Sequence, residues 1–467
     1  MSSLSALDSL LSGSSSTSSI NLSQILEAAL GASSEGIDVN SAVSAAITAA
    51  EAPEQTWESQ LTLFQNQTTA LNQLQTYATN LDNDMQSLNN ILGPLSAMTV
   101  SSSNSSVVSG TASSGSTAGN HIVVVNNLAT TASWTSAAFA SGSTALPAGS
   151  FTITTGTGAT TITTDGTETL SDAANQINSD GLGLTASVIT DATGARLAIV
   201  ANSSGSAANF TISNQSPSSF GFAQAASGLN ASVNVDGITI ASATNTVTGV
   251  IPGVTLNLQS ASPDTQISLS VTPDTSQAST AIDQFVSDYN TLLQAVNSQF
   301  ADSGSGQGVL ATDPTIRDLQ SDLEGAMGYT STLNGTTSSL ASLGISVNSD
   351  GTLSVDSGAL NSAMQNNFSA VQNFFQGSAF NGFAGTLDQQ LTGFISPSDG
   401  AFTVDLQSIS TQESAAQTSI TNFQTNVITP LQQQLQSEYS QAEILLQQLP
   451  TEMKQIDEEL GLNNSNG

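Results

Sequence analysis

The chain of 467 residues is longer than one hydrophobic core usually supports, which predicts two to four domains. It carries 36 Asp and Glu against three Lys and Arg, a formal net charge of -33, which excludes binding to nucleic acid or to an anionic membrane surface, since both need clustered cations. The absence of Cys excludes disulfides and thiolate sites, while a hydrophobic content of 38% predicts a folded body.

The N-terminal segment, residues 1–35, is rich in Ser, Ala and Gly and is predicted to be mobile. Residues 1–19 contain no basic start and no long apolar run, so we expect no cleaved secretory leader. No stretch of the sequence is long and apolar enough to predict a membrane-spanning helix. If the protein leaves the cell, we expect a route that does not read a cleaved leader.

An N-terminal helical leg is predicted at 36–98. Its first helix begins near Asp38 and runs to Pro53. Its second helix has apolar residues at three- and four-residue steps up to Leu92, the pattern of a coiled-coil seam. One pair of consecutive three-residue steps is expected to change the local winding without ending the helix. The seam residues predicted to act in assembly are Trp57, Leu61, Phe64, Leu71, Leu74, Leu81, Met85 and Leu88, and the seam also includes Thr68 and Ala78.

A C-terminal helical leg is predicted at 406–461, followed by a tail at 462–467. Its seam repeats the same steps, with one gap at Glu413. The residues predicted to act in assembly are Ile420, Phe423, Val427, Leu431, Leu435, Leu446 and Leu449. Flanking positions in both legs are mostly Gln, Asn, Ser and Thr, so their helicity should depend on packing and not on charge pairs.

Two arrangements would cover these seams. The legs can pack against each other and, through flanking positions, against neighbouring copies. Alternatively, they form a helical bundle buried within one subunit. The heptad pattern alone does not distinguish the two arrangements.

The region 99–275 changes to a composition rich in Thr, Val, Ile and Gly, with short alternating runs that predict a β-rich head. A ββαββ unit is predicted at 150–200, with its helix at 170–179. We expect an outer subdomain at about 146–228, inserted in an inner one.

The region 276–405 is predicted to form a helical and hairpin domain that packs on the legs. Helical spacing returns at its start, a hairpin is expected at 344–355, and an apolar helix is expected from Leu360 to Phe375. Together these regions predict an α+β multidomain fold, with terminal α-helical coiled-coil legs and an inserted two-part head.

Residues with catalytic potential are few. His121 is the one histidine, and with no serine elbow to partner it we interpret it as a strand residue. The pairs Asp82 and Asp84, and Glu458 and Glu459, are interpreted as solvated helix faces and not as glycosidase carboxylates. The sequence therefore predicts no enzyme and no catalytic, cofactor or metal site.

Glycine-containing segments are interpreted as linkers and turns. The stretch 304–308 lacks the Lys-Ser or Lys-Thr that follows a phosphate-binding loop. The Asp-Gly pairs at Asp165, Asp236 and Asp350 do not continue into the ligand pattern of a calcium loop. Because glycine accepts the positive φ of tight turns, we expect turns at these pairs and at Pro252-Gly253.

Five short motifs occur along the chain, each within a longer recognisable stretch. They are Gly36-Ile37-Asp38, Asp236-Gly237, Pro252-Gly253, Tyr289-Asn290 and Asp350-Gly351. In this order they resemble the bacterial flagellar filament-capping proteins, the flagellar hook-associated protein 2 family. The 150–200 unit is similar to a short repeat in the heads of flagellins and hook-associated proteins. The resemblance spans residues 36–461.

This resemblance implies a structural role at the distal tip of the bacterial flagellar filament, outside the cell, after export without cleavage through the flagellar type III apparatus. It implies an oligomeric ring that promotes flagellin folding and insertion and is required for filament elongation and motility. The implied partners are further copies of the chain, flagellin, the hook-filament junction proteins and a cytoplasmic export chaperone at the C-terminal helix. No cofactor is implied. The chain departs from the family in its long Ser- and Ala-rich start and its scarce basic residues.

Other functions remain as alternatives. A surface adhesin would bind host or matrix glycans through the β head, with Trp134, near Phe139, as the best candidate, although large apolar side chains are more often packed. Flagellin and the junction proteins also have helical ends, but the 36–53 motif and the 344–355 hairpin favour the cap.

Overall fold

The computed structural model describes residues 39–301, 306–333 and 336–459. The predicted mobile segment 1–35, the motif Gly36-Ile37-Asp38, part of the 304–308 stretch and the tail 462–467 lie outside the described residues.

The chain forms two compact units. The first, the helical unit, takes the chain up to Thr79, Leu292–Asp322 and the chain from Leu391 onward. The second, the mixed unit, takes Asn80–Thr291 and Leu323–Gln390. The α+β multidomain prediction is confirmed, because helices and sheets occupy separate parts of the chain.

The helices of the described residues lie before and after the β region, except for α3, which lies within it. They are α1 (Val39–Ala50), α2 (Ala52–Asn89), α3 (Leu170–Ser179), α4 (Thr275–Phe300), α5 (Pro314–Ala326), α6 (Ser357–Gln376), α7 (Phe383–Ile395), α8 (Ala401–Phe423) and α9 (Thr429–Glu459). One π-helical segment, Gln424–Ile428, joins α8 to α9.

The strands form antiparallel sheets. They are β1 (Met98–Ser102), β2 (Val108–Ala112), β3 (Gly119–Asn127), β4 (Thr131–Thr135), β5 (Gly149–Thr155), β6 (Gly158–Thr164), β7 (Leu184–Asp191), β8 (Gly194–Ser204), β9 (Thr211–Ser216), β10 (Ala223–Ala226), β11 (Ala231–Val235), β12 (Ile238–Ser242), β13 (Thr246–Ile251), β14 (Val254–Leu258), β15 (Ser262–Pro273), β16 (Thr330–Leu333), β17 (Thr336–Ser339), β18 (Ile345–Val347) and β19 (Leu353–Val355).

The inner part of the β region is built from two sheets that share one core. A five-stranded sheet has the order β1-β15-β3-β11-β12, and a three-stranded sheet has the order β13-β14-β2. Val123 and Val125 of the first sheet and Val108 and Leu256 of the second are fully buried in the same cluster. Alternation along each strand thus turns one face of each sheet inward.

The outer part of the β region has a separate core. A four-stranded sheet, β10-β4-β8-β7, and a three-stranded sheet, β6-β5-β9, enclose it together with α3. The predicted ββαββ unit is confirmed, but its two hairpins belong to different sheets. The sequence analysis missed β4, β9 and β10, and this core includes Ala132 and Trp134, which precede the expected boundary at 146.

Helix α3 occupies the range predicted from the sequence because its boundaries are encoded locally. The Thr169 side chain accepts a hydrogen bond from the backbone N–H of Asp172, and the Asp172 side chain accepts one from the backbone N–H of Thr169. This capping box satisfies two amides that the helix leaves open. Leu170 and Ile177 then lie on the buried face.

The first N-terminal helix ends three residues earlier than expected. Helix α1 ends at Ala50, and Pro53 lies in the first turn of α2 instead of at the end of the first helix. Proline is tolerated there because the amides of a first turn have no partner within the helix. Helix α2 then continues through the paired three-residue steps, as predicted.

The end of α2 corrects a second expectation. The helix stops at Asn89, so Leu92 lies beyond it and is 64% exposed. The backbone N–H of Leu92 bonds to the Asn90 side chain, which replaces a helical partner. The sequence pattern therefore predicted a helix three residues too long at its C-terminus, because the Asn90 side chain closes the last turn.

The region 276–405 contains elements that the sequence analysis did not identify. These are the β16–β17 hairpin and helix α7, and α8 also begins before the predicted leg at 406. Within the mixed unit, the rings of Phe285, Phe374 and Phe375 pack around Phe383 at centroid distances of 5.4 to 5.8 Å. The first turn of α7 is thus part of an aromatic core.

Candidate functional site: the terminal helices

Helices α2 and α8 run antiparallel in the helical unit and meet through aromatic side chains. Trp57 and Phe423 lie edge to face, with ring centroids 5.5 Å apart and planes at 78°. Such pairs contribute about 1 kcal/mol beyond the area they bury. Residues from the two predicted legs are therefore brought together within one chain.

Polar contacts on either side of this aromatic pair fix its register. Both carboxylate oxygens of Glu54 accept hydrogen bonds from Gln424 Nε2, at 2.6 and 2.5 Å, and the Glu54 side chain is buried. Farther along, Thr68 Oγ1 donates to Glu413 Oε1 at 3.1 Å. Thr68 and Glu413 interrupt the apolar seams, and a polar pair inside a seam favours one alignment over others. The sequence signal was the gap at Glu413.

Helix α1 packs against the C-terminal helix. Val43, Ile47 and Ile428 are each at most 9% exposed and form one cluster. Phe423, Leu431, Leu435 and Tyr439 are half-buried around it. The middle of the C-terminal seam, from Phe423 to Tyr439, is thus covered by the helix that opens the N-terminal leg.

The π-helical segment shifts this seam by one residue. The buried positions step from Phe423 to Ile428, five residues on, and then to Leu431 and Leu435. Val427, the predicted seam residue, is 38% exposed. A π turn accommodates one extra residue, so it replaces Val427 by Ile428 in the interior without turning the rest of the helix away.

The middle of the N-terminal seam is fully covered within the single chain. The residues with at most 2% exposure are Leu71, Leu74, Leu81, Met85 and Leu88. In the mixed unit, Gln376 Nε2 also donates to the carbonyls of Leu88 and Asn90. For this stretch the arrangement is the one expected of helices buried within one subunit.

Other predicted leg residues keep surface available. Trp57, Leu61, Phe64 and Ile420 are half-buried. On α9, the exposed apolar side chains are Ile444, Leu445, Leu449 and Ile456, between 47% and 64% exposed. Leu446 lies in the same helix. The terminal helices therefore present apolar surface that the described part of the chain does not cover.

Of the family-like motifs within the described residues, Tyr289-Asn290 lies inside α4 and the other three lie at turns that the fold holds in place. Asn290 Nδ2 donates to the carbonyl of Leu353 at 2.8 Å, and Asn290 Oδ1 accepts from the Leu353 amide at 2.7 Å. The Tyr289 hydroxyl donates to the carbonyl of Gly351. Two motifs thus contact each other, because α4 binds the β18–β19 hairpin.

A second motif forms the β11–β12 turn. Asp236 and Gly237 both have positive φ, 51° and 88°, which suits a two-residue hairpin turn. His121 Nδ1 lies 2.7 Å from Asp236 Oδ2, and this hydrogen bond is the main reason that the pKa of Asp236 is lowered. His121 is a strand residue, as interpreted from the sequence, and its contact pins the turn to β3.

The turn at Pro252-Gly253 is held in the same manner. Gly253 has a φ of 76°, and its carbonyl accepts hydrogen bonds from the Ser113 amide and the Ser116 hydroxyl. A Cβ at this glycine would lie 2.3 Å from Ser116 Oγ, so a side chain would not fit. The motif therefore joins β13–β14 to the segment after β2.

The interpretation of Asp82 and Asp84 as a solvated face was wrong. Asp82 is 5% exposed and Asp84 is half-buried. The reason is that α2 lies between other elements of the mixed unit, so both sides of this stretch are covered. Glu458 and Glu459 fall at the end of α9, and their side chains lie outside the described part of the chain.

Trp134 is used in packing. Its indole N–H donates to the carbonyl of Phe210 at 3.0 Å, and its ring lies 6.4 Å from the Phe210 ring. The side chain is half-buried against the outer core. No contact of this residue favours a glycan-binding surface.

No helix among residues 39–301, 306–333 and 336–459 is long and apolar enough to cross a membrane. Over the same residues, no group of three or more His, Asp or Glu side chains is arranged to hold a metal ion.

Comparison with protein families decides the family. Residues 228–451 match the model described as "Flagellar hook-associated protein 2 C-terminus", and residues 35–132 match the corresponding N-terminus. This chain belongs to the flagellar hook-associated protein 2 family. Residues 150–203 match the "Flagellin hook IN motif", which agrees with the repeat expected there. The resemblance stated from the sequence is confirmed.

Individual relatives carry the same family name. The chain is 27% identical over 404 residues to the A-type flagellar hook-associated protein 2 of Pseudomonas aeruginosa, covering 77% of this chain and 82% of that protein. It is 28% identical over 316 residues to the B-type protein of the same species, covering 60% of this chain and 66% of that protein. For the protein of Aeromonas caviae the identity is 28% over 346 residues, covering 67% and 73%.

A solved structure supports the family at the level of the fold. The crystal structure of the flagellar cap protein FliD D1-D2-D3 domains from Escherichia coli matches with a TM-score of 0.58 and 26% identity. The match covers 73% of this chain and 99% of the crystal structure. The hook-associated protein 2 fold thus accounts for most of the chain.

Proposed function

We propose that this chain is a structural, non-catalytic subunit of the cap at the distal tip of the flagellar filament, outside the cell. It assembles with further copies into an oligomeric ring that promotes flagellin folding and insertion, and so supports filament elongation and motility. The observation that carries the proposal is the apolar surface that the terminal helices keep after pairing within the chain.

Packing within the chain covers some of the predicted seam residues completely and others only in part. Leu71 and Leu74 cannot contact a second copy, because both are at most 2% exposed. The half-buried Trp57, Leu61 and Phe64 retain part of their surface. An assembly role for the predicted seam residues therefore rests on the start of α2 and on the C-terminal helices.

Helix α9 carries an exposed apolar stripe. Leu445 and Leu449 lie one turn apart and are 64% and 47% exposed. A pair at this spacing forms an apolar stripe on one helix face, which is the geometry that packs into another helix. Contacts made by this stripe would bury apolar area worth roughly 25 cal/mol per Å².

The polar surroundings of the stripe are consistent with a contact between like subunits. Gln441 and Gln448 lie beside the stripe on this face of α9 and Glu452 lies one turn beyond Leu449, so amide groups border most of the contact between subunits. Amide side chains can also form hydrogen bonds between neighbours, and within the chain Gln424 Nε2 donates to Glu54 in this way. A protein with three Lys and Arg cannot rely on ion pairs for this contact.

Further partners follow from the same surface. We propose contacts with flagellin and with the hook-filament junction proteins during assembly, and a cytoplasmic export chaperone that covers the exposed C-terminal helix before export. Neither nucleic acid nor membrane insertion is part of the proposal, and no cofactor is needed.

We also propose the domain division expected from the sequence. The legs are 36–98 and 406–461, the head is 99–275, and 276–405 packs on the legs. Separate inner and outer cores in the β region support a two-part head. The motif residues serve as turn anchors of these parts, as the contacts of Asn290 and Asp236 indicate.

The experiment replaces Leu445 and Leu449 together with Gln in a strain that lacks the wild-type gene. We expect unassembled flagellin in the medium, short or absent filaments and loss of swimming, because the contact between copies is lost. The purified variant should also sediment as a smaller species than wild type. Its far-ultraviolet circular dichroism should not change, since both side chains are exposed.

The matched control is Ile91→Gln, which removes an equally exposed apolar side chain, 58% exposed, outside the helices. It should assemble and swim normally. Wild-type sedimentation and motility of the double variant would contradict the proposal, as would an equal loss in the control.

A further inference from the structure

Helix α2 carries two buried carboxyl groups that lack conventional partners. Asp82 Oδ2 accepts a hydrogen bond from Gln86 Nε2 at 2.7 Å, but Asp82 Oδ1 is buried and receives none. Asp84 Oδ2 is likewise buried with no donor. A buried acceptor without a donor is unfavourable, so the arrangement calls for a physical explanation.

The group that faces each carboxyl is another carboxyl. Asp388 of α7 lies within hydrogen-bonding contact of Asp82, and Asp288 of α4 lies within hydrogen-bonding contact of Asp84. Asp288 is held in place by Gln284 Nε2, which donates to its Oδ2 at 2.9 Å. Two ionised carboxylates cannot donate to each other, so each contact becomes a hydrogen bond only when a proton lies between the pair.

The cationic side chains of the described residues lie away from Asp82 and Asp84. Arg196 donates to the carbonyl of Ser136 and lies near Asp191, Arg317 donates to the carbonyl of Ala311, and His121 pairs with Asp236. Lys454 is exposed on α9. The side-chain groups that affect the two carboxyls are the facing aspartates and Gln86, none of which is cationic.

We propose that the two aspartate pairs, Asp82–Asp388 and Asp84–Asp288, each share a proton and form a pH-operated clamp between α2, α7 and α4 in the mixed unit. With the proton present, each pair is a strong hydrogen bond between helices. With the proton lost, two negative charges meet at a buried contact and push the helices apart.

The direction of the pH effect follows from linkage. Burial, followed by the contact with Asp388, raises the pKa of Asp82 to about 7, and burial, followed by the contact with Asp288, raises the pKa of Asp84 to about 7. In the unfolded chain both would titrate near the ordinary aspartate value of about 3.9. The folded state therefore binds more protons between these values, and the stabilisation is lost as the pH rises through about 7.

The composition makes this response measurable. Ordinary carboxylates finish titrating below about pH 5.5, and the chain has one histidine, so few other groups change charge between about pH 5.5 and 8. The experiment measures hydrogen exchange by mass spectrometry in the full chain, corrected for the intrinsic effect of pH. The observed peptide covers residues 80–89 of α2.

We expect these amides to exchange about tenfold or more slowly at pH 5.5 than at pH 8, in line with a pKa shift of more than one unit. Asp82→Asn carries a permanent N–H donor in place of the proton. It should therefore slow exchange at pH 8 and flatten the pH dependence. Asp84→Asn should have the same effect through the other pair. If Asp82→Asn does not fold, Asp84→Asn and the wild-type pH profile together test the clamp.

Two controls separate the clamp from general charge effects. Asp283→Asn removes the same charge from an exposed position on α4 and should leave the pH dependence as in wild type. His121→Gln removes the histidine and should also leave it unchanged. High salt screens exposed charges but not buried pairs, so the response should persist in about 0.5 M salt.

The clamp is overturned if the wild-type exchange of residues 80–89 does not slow on acidification, or if the response disappears in high salt. It is equally overturned if Asp283→Asn flattens the profile as much as Asp82→Asn. Because these readouts concern the isolated chain, they do not depend on cap assembly.

Discussion

Asn290 binds both backbone groups of Leu353, and Gln424 binds both carboxylate oxygens of Glu54. In proteins with an ordinary supply of Lys and Arg, cationic side chains often make such paired contacts. Here amide side chains supply the donors. An amide carries no charge, so its burial costs less than that of an ammonium or guanidinium group, and its two ends can satisfy a donor and an acceptor together.

Replacement of Asn290 by Ala tests this role at the β18–β19 hairpin. We expect a loss of about 2 kcal/mol in local stability, because the amide and carbonyl of the buried Leu353 both lose their partner. Hydrogen exchange of the 345–355 amides should then be roughly 30-fold faster. Asn366→Ala, on the exposed face of α6, is the matched control and should change exchange little. Equal effects of the two substitutions would rule out the specific role of Asn290.

Single residues differ in how far their sequence context predicts them. The turn at Asp236-Gly237 was predictable because φ preferences are local. The burial of Asp82 was not, because the seam pattern describes one face of α2 and the covering of the opposite face depends on α7, far along the chain. The Glu54–Gln424 contact also joins residues distant in sequence, and neither residue is a position of the predicted seams.

At the scale of elements, the π-helical segment lets two registers coexist on the C-terminal helix. Residues before it follow a seam that ends at Phe423, and residues after it follow a seam that begins at Ile428. An extra residue in one turn changes the position of one side chain and leaves the following faces aligned.

Deletion of Val427 should therefore be tolerated. It closes the π turn to a regular α turn and keeps Ile428, Leu431 and Leu435 against α1. Deletion of Gln433, an exposed residue of α9, is the matched control: it rotates Leu435 and Tyr439 by about 100° away from the cluster and should cost about 2 kcal/mol. Thermal unfolding and hydrogen exchange of the α1 amides measure the stability of both deletion variants. A Val427 deletion as damaging as that of Gln433 would contradict this account.

Element prediction succeeded where the signal is local. Helix α3 has a capping box and an apolar face, and its predicted range was confirmed. The sheet partners of β5 and β8 were not predictable, because β9 and β4 pair with them across long separations that alternation does not encode. Helix α7 had a usable signal in Phe383, Leu387, Leu391 and Phe394, spaced by four, four and three.

For the whole molecule, the formal charge of -33 sets the main electrostatic cost of assembly. Copies that approach one another repel, and few of their carboxylates can be compensated by cations. The two described ion pairs, His121–Asp236 and Arg196–Asp191, both lie within one chain. The proposed assembly must therefore overcome this repulsion by apolar contact.

Added salt should strengthen association of the purified protein, because it screens this repulsion. Mild acid should do the same, since it neutralises carboxylates. Sedimentation velocity from low salt to about 0.5 M, and from about pH 7 to 4.5, should show larger species in both series. An uncharged osmolyte at matched osmolarity is the control and should not reproduce the salt effect. Dissociation under both changes would refute the electrostatic argument.

The placement of the basic residues also bears on resistance to proteolysis. Arg196 lies inside β8, whose backbone is hydrogen-bonded on both sides, and Arg317 lies inside α5 with its guanidinium held by a carbonyl. A trypsin-like protease needs an accessible Lys or Arg in an extended segment. Lys454, exposed near the end of α9, is the most reachable site, and cleavage there would remove the end of the last helix of the helical unit while leaving the mixed unit whole.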